Sequence, residues 1–237
     1  MNTVSPQTDE PVLIFRIRLD LPEAEVYAYR QYLSEAELER ATKFLSAHKM
    51  REFIITRGTL KKILAEMLDE DIAKVSITHE KDGRPCLVNN PHNIHFSVSH
   101  SGERAMIAVT RGRQIGLDLE EIRTDIDHDG LSRRFFSPAE YEGLQQCHEA
   151  VRLRAFYAVW TRKEAIVKAH GKGIALGLKQ FDVSVDPELQ PRVLAARWTQ
   201  VDMPVWGLMN LESDTNYFAS LAYSHSAQGL KPVIHYQ

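Results

Sequence analysis

The feature that most constrains the fold of this 237-residue chain is a weak internal repeat. When residues 34–63 are aligned with residues 137–166 without a gap, eight of the thirty positions are identical, whereas roughly two are expected from ordinary composition. The identical pairs are Ser34/Ser137, Ala36/Ala139, Glu37/Glu140, Glu39/Glu142, Ala47/Ala150, Arg51/Arg154, Phe53/Phe156 and Ile63/Ile166. The repeat predicts that one structural unit is used twice.

Each copy of the repeat is predicted to combine a strand with helices. Both copies open with Ser-x-Ala-Glu, which is typical of a helix N-cap followed by an acidic first turn. A strand-like run precedes each copy, at residues 12–19 and at residues 114–120. The predicted fold class is therefore α/β (α+β), with similar halves at 1–112 and 113–237 that join near Arg111-Gly112-Arg113.

A pair of carboxylates lies at the end of the strand predicted in the second half. Apolar residues alternate with Gly116, Asp118 and Glu120 over residues 115–120, and this period of two places both carboxylates on the same face. Neighbouring carboxylates repel each other unless they are neutralised, and Mg²⁺ does this with few protein ligands. The alternative is an ordinary solvated strand end, and the first half has no evident counterpart of the pair.

A helix is predicted downstream of this strand, because apolar residues recur at helical spacing over residues 156–167. Glu164 and Lys168 lie one turn apart on one face, and Lys163 is the neighbour of Glu164. Such a pair is usually a surface ion pair. The functional alternative makes Glu164 a third metal ligand and brings Lys168 to a phosphate that the metal holds.

The two segments together resemble the signature of the Sfp-type 4′-phosphopantetheinyl transferases. G-x-D-x-E at residues 116–120 is followed by W-x-x-K-E-A-x-x-K at residues 160–168. Further similar stretches are Gly83-Arg84-Pro85 and residues 96–101, 134–141 and 171–174. The resemblance implies a pseudo-twofold α/β protein with coenzyme A in the cleft between its halves. It also implies transfer of the phosphopantetheine arm to a serine of an acyl or peptidyl carrier protein, which releases adenosine 3′,5′-bisphosphate.

The resemblance also implies roles for the acidic and basic residues of the second half. Asp118, Glu120 and Glu164 would hold Mg²⁺, with Mn²⁺ as a possible substitute. Glu164 or Glu120 would accept the proton of the carrier serine, and the sequence does not choose between them. Lys168 would stabilise or protonate the leaving bisphosphate, and Lys163 would contribute to the same phosphate environment.

Coenzyme A contacts are implied for several residues of the first half. Ser99 and His100 match a Ser-His pair that contacts coenzyme A phosphates, and we assign His100 to the 3′-phosphate. Arg51 and Arg57 resemble the basic contacts to the same phosphate, and Arg57 is the stronger candidate of the two. Gly83-Arg84-Pro85 matches the turn that packs against the adenine, although a simple hairpin loop would also explain it.

Composition and charge are compatible with this interpretation. A net charge of −3 and the lack of a recognised nucleic-acid motif argue against nucleic acid as a partner. Basic clusters at residues 48–62 and 152–172 suit coenzyme A and acidic carrier proteins. Two cysteines, no long apolar run and a polar N-terminus predict a cytoplasmic protein without a membrane span, and the duplication predicts a monomer.

Three alternatives remain open from the sequence. A small trimeric holo-carrier synthase is about half this length, so the internal duplication argues against it. A module that only binds coenzyme A or a carrier protein would not require Lys168. A metal phosphohydrolase typically uses a richer set of His and Asp ligands for two metals.

Overall fold

The computed structural model describes residues 11–81, 83–171, 173–198, 205–224 and 234–236. The predicted polar N-terminus, residues 1–11, lies outside these ranges except for residue 11. Lys172, which belongs to the similar stretch 171–174, also lies outside them. Within the described residues the α-helices are α1 Glu23–Arg30, α2 Glu35–Thr42, α3 Ala47–Leu68, α4 His128–Phe135, α5 Pro138–Gln146 and α6 Glu149–His170. The strands are β1 Val12–Arg18, β2 Ile77–His79, β3 Pro85–Leu87, β4 Ile94–Ser101, β5 Arg104–Arg111, β6 Ile115–Glu121, β7 Phe181–Val183, β8 Val193–Ala196, β9 Trp206–Leu211, β10 Tyr217–Ser224 and β11 Ile234–Tyr236.

The helices of the repeat confirm that one unit is used twice. A short helix, α2 or α5, precedes a helix of 22 residues, α3 or α6, in each half. Both short helices begin with a capping box, formed by Ser34 with Glu37 and by Ser137 with Glu140. In a capping box the side chains of the N-cap and N3 residues each satisfy a free backbone N–H group. The Ser and Glu of the Ser-x-Ala-Glu pattern have these two roles in both copies.

The strands follow the same plan in both halves. One sheet has the order β11-β1-β5-β4 and the other the order β6-β10-β9. In each sheet the strand before the helices pairs antiparallel with the last strand of a hairpin, as β1 with β5 and β6 with β10. The fold is therefore α/β, as predicted, and the two sheets share this strand arrangement.

The final strand departs from the prediction of two contiguous halves. β11 runs parallel to β1, with Val12 opposite Ile234. The sheet of the first half is therefore extended by residues that the sequence analysis assigned to the second half.

The buried cores lie between the sheets and under the long helices. Val12, Ile14, Met106, Leu117 and Leu119 contribute to the core between the two sheets. The other face of the first sheet packs on α3, and α6 covers the second sheet. Among the described helices, none combines the length and the apolar character that a membrane span requires.

Gly116 sets the distance between α6 and β6. A Cβ atom at this position would lie 2.1 Å from the carbonyl oxygen of Ala165 and 2.2 Å from the backbone nitrogen of Ala169. Only glycine allows so close an approach of backbone to backbone. The contact brings the carboxylates that follow Gly116 on β6 close to the polar face of α6.

Candidate active site

Asp118 lies where β6, β4 and α6 meet, and it is almost fully buried. Its Oδ1 atom accepts hydrogen bonds from Ser99 Oγ at 3.0 Å and from Lys168 Nζ at 2.7 Å. Lys168 Nζ also donates to Ser99 Oγ at 2.9 Å. The other carboxylate oxygen, Oδ2, is buried and has no hydrogen-bond partner among the described residues. An unsatisfied buried oxygen of this kind requires an explanation.

Glu120 and Glu164 share the environment of Asp118. Burial and the nearby Asp118 carboxylate raise the pKa of Glu120 to about 7. Burial and Asp118 also raise the pKa of Glu164. Each shift means that the folded protein disfavours the ionised carboxylate. Three acidic side chains thus concentrate negative charge, which the ammonium group of Lys168 offsets in part.

The three carboxylates are neighbours but do not form a closed coordination set. In the described part of the chain, no three His, Cys, Asp or Glu side chains are arranged closely enough to hold a metal ion. Asp118 is ion-paired with Lys168 instead. The structure therefore gathers the predicted ligands around one strand end without assembling them into a metal centre.

The predicted role of Lys163 is wrong. Its side chain is fully buried, and Nζ lies 2.7 Å from Glu140 Oε1 and donates to the carbonyl oxygen of Phe181 at 2.6 Å. Burial lowers the pKa of Lys163. Consecutive helical residues point about 100° apart, so Lys163 packs against α5 and β7 while Glu164 faces the cleft. Lys163 is a structural residue.

A cavity of about 290 Å³ lies between the halves. One wall is the turn Gly83-Arg84-Pro85 and the other wall includes Glu164 and Lys168. Arg84 Nη1 donates to the carbonyl oxygen of Ala169 at 3.2 Å, which connects this turn to the end of α6. Residues predicted for the adenine and for the phosphates therefore line one cavity.

His100 lies beside the start of α3. Its Nδ1 atom is 3.9 Å from Oε2 of Glu52, a buried carboxylate that Lys49 also contacts at 2.8 Å. Burial lowers the pKa of His100, and the nearby Lys49 and Lys168 act in the same direction. His100 therefore lies near Lys168, the ion-pair partner of Asp118, and its charged form is disfavoured there.

The two predicted arginines of α3 have different environments. Arg51 makes hydrogen bonds to the Glu23 carboxylate and to the carbonyl oxygen of Leu21, so it ties α3 to the start of α1. Neither of these partners is a predicted coenzyme A contact. Arg57 is mostly buried, with Nε 3.5 Å from Glu37 Oε1.

Arg40 is a candidate that the sequence analysis missed. The guanidinium groups of Arg40 and Arg57 lie 5.3 Å and 5.6 Å from the centre of the Phe53 ring. Arg57 Nη1 is buried and has no hydrogen-bond partner among the described residues. Burial lowers the pKa of His79, and the positive charges of Arg40 and Arg57 lower it further. The His79 ring therefore lies close to both arginines. The sequence pattern does not indicate that Arg40 and Arg57 lie close together, because the two residues are on different helices.

Comparisons with known proteins agree over most of the chain. A family model described as the 4′-phosphopantetheinyl transferase superfamily matches residues 114–217, and one described as the N-terminal part of a 4′-phosphopantetheinyl transferase matches residues 22–112. The chain is 35% identical to the 4′-phosphopantetheinyl transferase HetI of Nostoc sp. over 215 residues, which cover 90% of this chain and 87% of the relative.

Two more distant relatives carry the same activity in their names. The chain is 26% identical over 179 residues to the 4′-phosphopantetheinyl transferase Sfp of Bacillus subtilis, covering 75% of this chain and 78% of the relative. It is 27% identical over 163 residues to the human L-aminoadipate-semialdehyde dehydrogenase-phosphopantetheinyl transferase, covering 64% of this chain and 52% of the relative.

Proposed function

Since the chain belongs to the 4′-phosphopantetheinyl transferase superfamily, we propose that it transfers the phosphopantetheine arm of coenzyme A to a serine of an acyl or peptidyl carrier protein. The activity shared by its relatives makes it an enzyme of this class. A module that only binds is therefore not favoured. What we propose is therefore the identity of the donor, coenzyme A, of the acceptor, a carrier-protein serine, and of the metal, a divalent cation.

The observation that carries the proposal is the cavity between the halves. It brings Gly83-Arg84-Pro85 opposite Glu164 and Lys168, so a nucleotide could contact the turn while its phosphates face α6. Arg57 and Arg40 provide positive charge in the first half, and Lys168 provides it beside the acidic strand, where His100 adds an imidazole that can donate a hydrogen bond. Coenzyme A needs this combination, because it joins an adenine and a 3′-phosphate to a pyrophosphate.

The acidic side chains fit a divalent cation. Asp118 Oδ2 is buried without a partner in the described chain, and all three side chains offer only oxygen donors, which suit Mg²⁺ and Mn²⁺. A cation would also relieve the repulsion that raises the pKa values of Glu120 and Glu164. Asp118, Glu120 and Glu164 would have to draw closer together to hold it, because the described side chains do not form a closed coordination set. When bound, the cation would neutralise and polarise the pyrophosphate of coenzyme A.

The remaining chemistry belongs to the side chains around the cavity. The carrier serine oxygen forms a bond to the β-phosphorus, and the bond from that phosphorus to the bridging oxygen of the pyrophosphate breaks. Glu164 accepts the serine proton, because it lines the cavity whereas Glu120 already accepts a hydrogen bond from Ser101. Lys168 stabilises the departing adenosine 3′,5′-bisphosphate. Positioning and charge stabilisation are the main requirements of phosphoryl transfer.

Intact-mass spectrometry tests this proposal directly. An apo acyl carrier protein and an apo peptidyl carrier protein are each incubated with the enzyme, coenzyme A and Mg²⁺. We expect a gain of one phosphopantetheine on at least one carrier, and we expect a chelator to abolish it. Transfer that persists after thorough chelation would refute the metal, and the lack of a mass gain on any carrier would refute the proposed donor and acceptor.

A further inference from the structure

Strand β4 approaches the acidic strand β6 through three alternate serines, Ser97, Ser99 and Ser101, which we call the serine row. Alternate residues of a strand point to the same side, so all three hydroxyl groups face the second half of the molecule. Ser97 and Ser99 are buried. The serine row joins the edges of two sheets that belong to different halves.

Each member of the serine row has a different partner on β6. Ser97 Oγ accepts a hydrogen bond from the backbone N–H of Leu117 at 2.9 Å. Ser99 Oγ donates to Asp118. Ser101 Oγ donates to Glu120 Oε2 at 2.9 Å and accepts from the backbone N–H of Glu121 at 3.0 Å. Two of the three serines therefore contact carboxylates of the proposed metal site.

The position of Ser101 is fixed on both sides. The N–H of Glu121 occupies a lone pair of the Ser101 oxygen, which directs its hydroxyl proton towards Glu120. Gly102 follows with φ of +53°, and a Cβ there would lie 2.6 Å from Glu121 Oε2 and 2.8 Å from the Tyr217 hydroxyl oxygen. The backbone N–H of Glu103 donates to the same tyrosine oxygen at 3.3 Å. The turn after β4 is thus held against the end of β6.

From these contacts we infer that Ser101 is a positioning residue that holds the Glu120 carboxylate in the orientation needed to bind the divalent cation. The inference rests on the proposed function. One oxygen of Glu120, Oε2, is held by the first half of the molecule, so the other oxygen would be the one available to the cation. Without the Ser101 hydroxyl group this hydrogen bond no longer restricts the Glu120 side chain. Metal binding would then also require that side chain to become ordered, which lowers the affinity. Mutation of a residue that is hydrogen-bonded to a metal ligand typically lowers metal affinity by about 10- to 100-fold.

Mn²⁺ binding followed by electron paramagnetic resonance tests this inference without reference to activity. The titration uses the full chain with Mn²⁺ alone and again with coenzyme A. We expect Ser101→Ala to weaken Mn²⁺ binding about 10-fold or more, and Ser101→Thr to restore it because threonine keeps the hydroxyl group. Ser101→Cys keeps the size of the side chain and weakens its donor, so it tests the same hydrogen bond if the alanine variant does not fold.

Ser97→Ala is the matched control. Ser97 lies on the same strand and the same face, but among the described residues its hydroxyl group is hydrogen-bonded to the backbone of β6 and not to a carboxylate. We expect this change to leave Mn²⁺ affinity within about 2-fold of the wild type. Activity supplies a second readout: Ser101→Ala should raise the Mg²⁺ concentration for half-maximal transfer about 10-fold, while kcat recovers at saturating Mg²⁺.

Glu120→Gln separates this inference from the proposed function. If Glu120→Gln weakens Mn²⁺ binding and Ser101→Ala does not, Glu120 binds metal and only the inference about Ser101 is overturned. The same follows if Ser97→Ala loses as much affinity as Ser101→Ala, because the serine row would then be purely structural. If Glu120→Gln binds Mn²⁺ like the wild type, or the wild type binds none, the metal site and the role of Ser101 both fall.

Discussion

Lys163 and Glu140 form an ion pair of 2.7 Å in which both side chains are almost fully buried. Glu140 is also the N3 residue of the capping box of α5, and its Oε1 atom accepts a hydrogen bond from the backbone N–H of Val183 at 2.8 Å. One carboxylate thus connects α5, α6 and β7. In the first half the equivalent capping glutamate, Glu37, lies 3.4 Å from the buried ammonium of Lys61.

Lys163→Met should destabilise the fold. The change leaves Glu140 buried without its cation, which costs about 3–5 kcal/mol in the free energy of unfolding. Urea denaturation measures this loss, and adding Glu140→Gln to the same chain should recover part of it. If Lys163→Met instead unfolds like the wild type but loses transfer activity, the lysine acts on substrate after all.

Glu164→Gln should reduce transfer activity without destabilising the fold. We expect transfer to fall by more than about 100-fold because a metal ligand and proton acceptor is lost, as measured by the mass gain of a carrier. Because burial and Asp118 raise the pKa of Glu164, its ionised form is disfavoured in the folded state. Above that pKa the neutral amide should therefore unfold at the same temperature as the wild type, or at a higher one, when no metal is added.

The control for this variant is Glu142→Gln on the exposed face of α5. It should leave both activity and melting temperature unchanged. Full activity in Glu164→Gln would remove Glu164 from the site.

Arg57→Ala should weaken the binding of coenzyme A much more than that of 3′-dephospho-coenzyme A. A hydrogen bond to a charged group is worth ~1.5–3 kcal/mol, which corresponds to about a 10- to 100-fold change in Kd. Calorimetric titration of both ligands measures the difference. Equal losses for the two ligands would contradict the contact to the 3′-phosphate.

Arg51→Ala is the internal comparison on the same helix. Because Arg51 contacts Glu23 and the backbone of Leu21, we expect it to leave both affinities unchanged and to reduce only the melting temperature.

Gly116→Ala should prevent α6 from packing on β6. The new Cβ would meet backbone atoms of Ala165 and Ala169 at 2.1–2.2 Å, and backbone moves less readily than side chains. We expect a loss of 3 kcal/mol or more in the free energy of unfolding, at the upper end of overpacking costs of about 1–3 kcal/mol. Gly143→Ala is the control, because the atoms nearest its Cβ belong to the side chain of Val185, at 3.0 Å or more, and not to backbone.

The repeat allowed much of the fold to be predicted, because capping and helix length are local properties. Ser34 and Ser137 mark helix starts by their own chemistry, and the alternation on β6 placed Asp118 and Glu120 on one face. The pairing of β11 with β1 has no such local signal, because parallel pairing joins residues far apart in the chain. The sequence analysis therefore missed it.

The candidate site was predictable to the extent that motifs identify residue types. Lys163 was misassigned because adjacency in a motif does not specify which side of a helix a residue faces. Arg51 was included because it resembles the family's basic contacts to the 3′-phosphate, but Glu23 on another helix determines where it points. Ser101 was overlooked because its partner, Glu120, belongs to the other half, and such a contact requires the fold.

The parallel pairing of β11 with β1 also bears on how the protein is made. Residues 12–111, which contain β1, β4 and β5, leave the ribosome before residues 234–236 are synthesised. Until then the outer edge of β1 has unpaired backbone groups, and such an edge is able to pair with a strand of another chain. β1 is thus completed by a strand that is synthesised much later than its other neighbour, so a chain that is cut short before residue 234 exposes an open sheet edge.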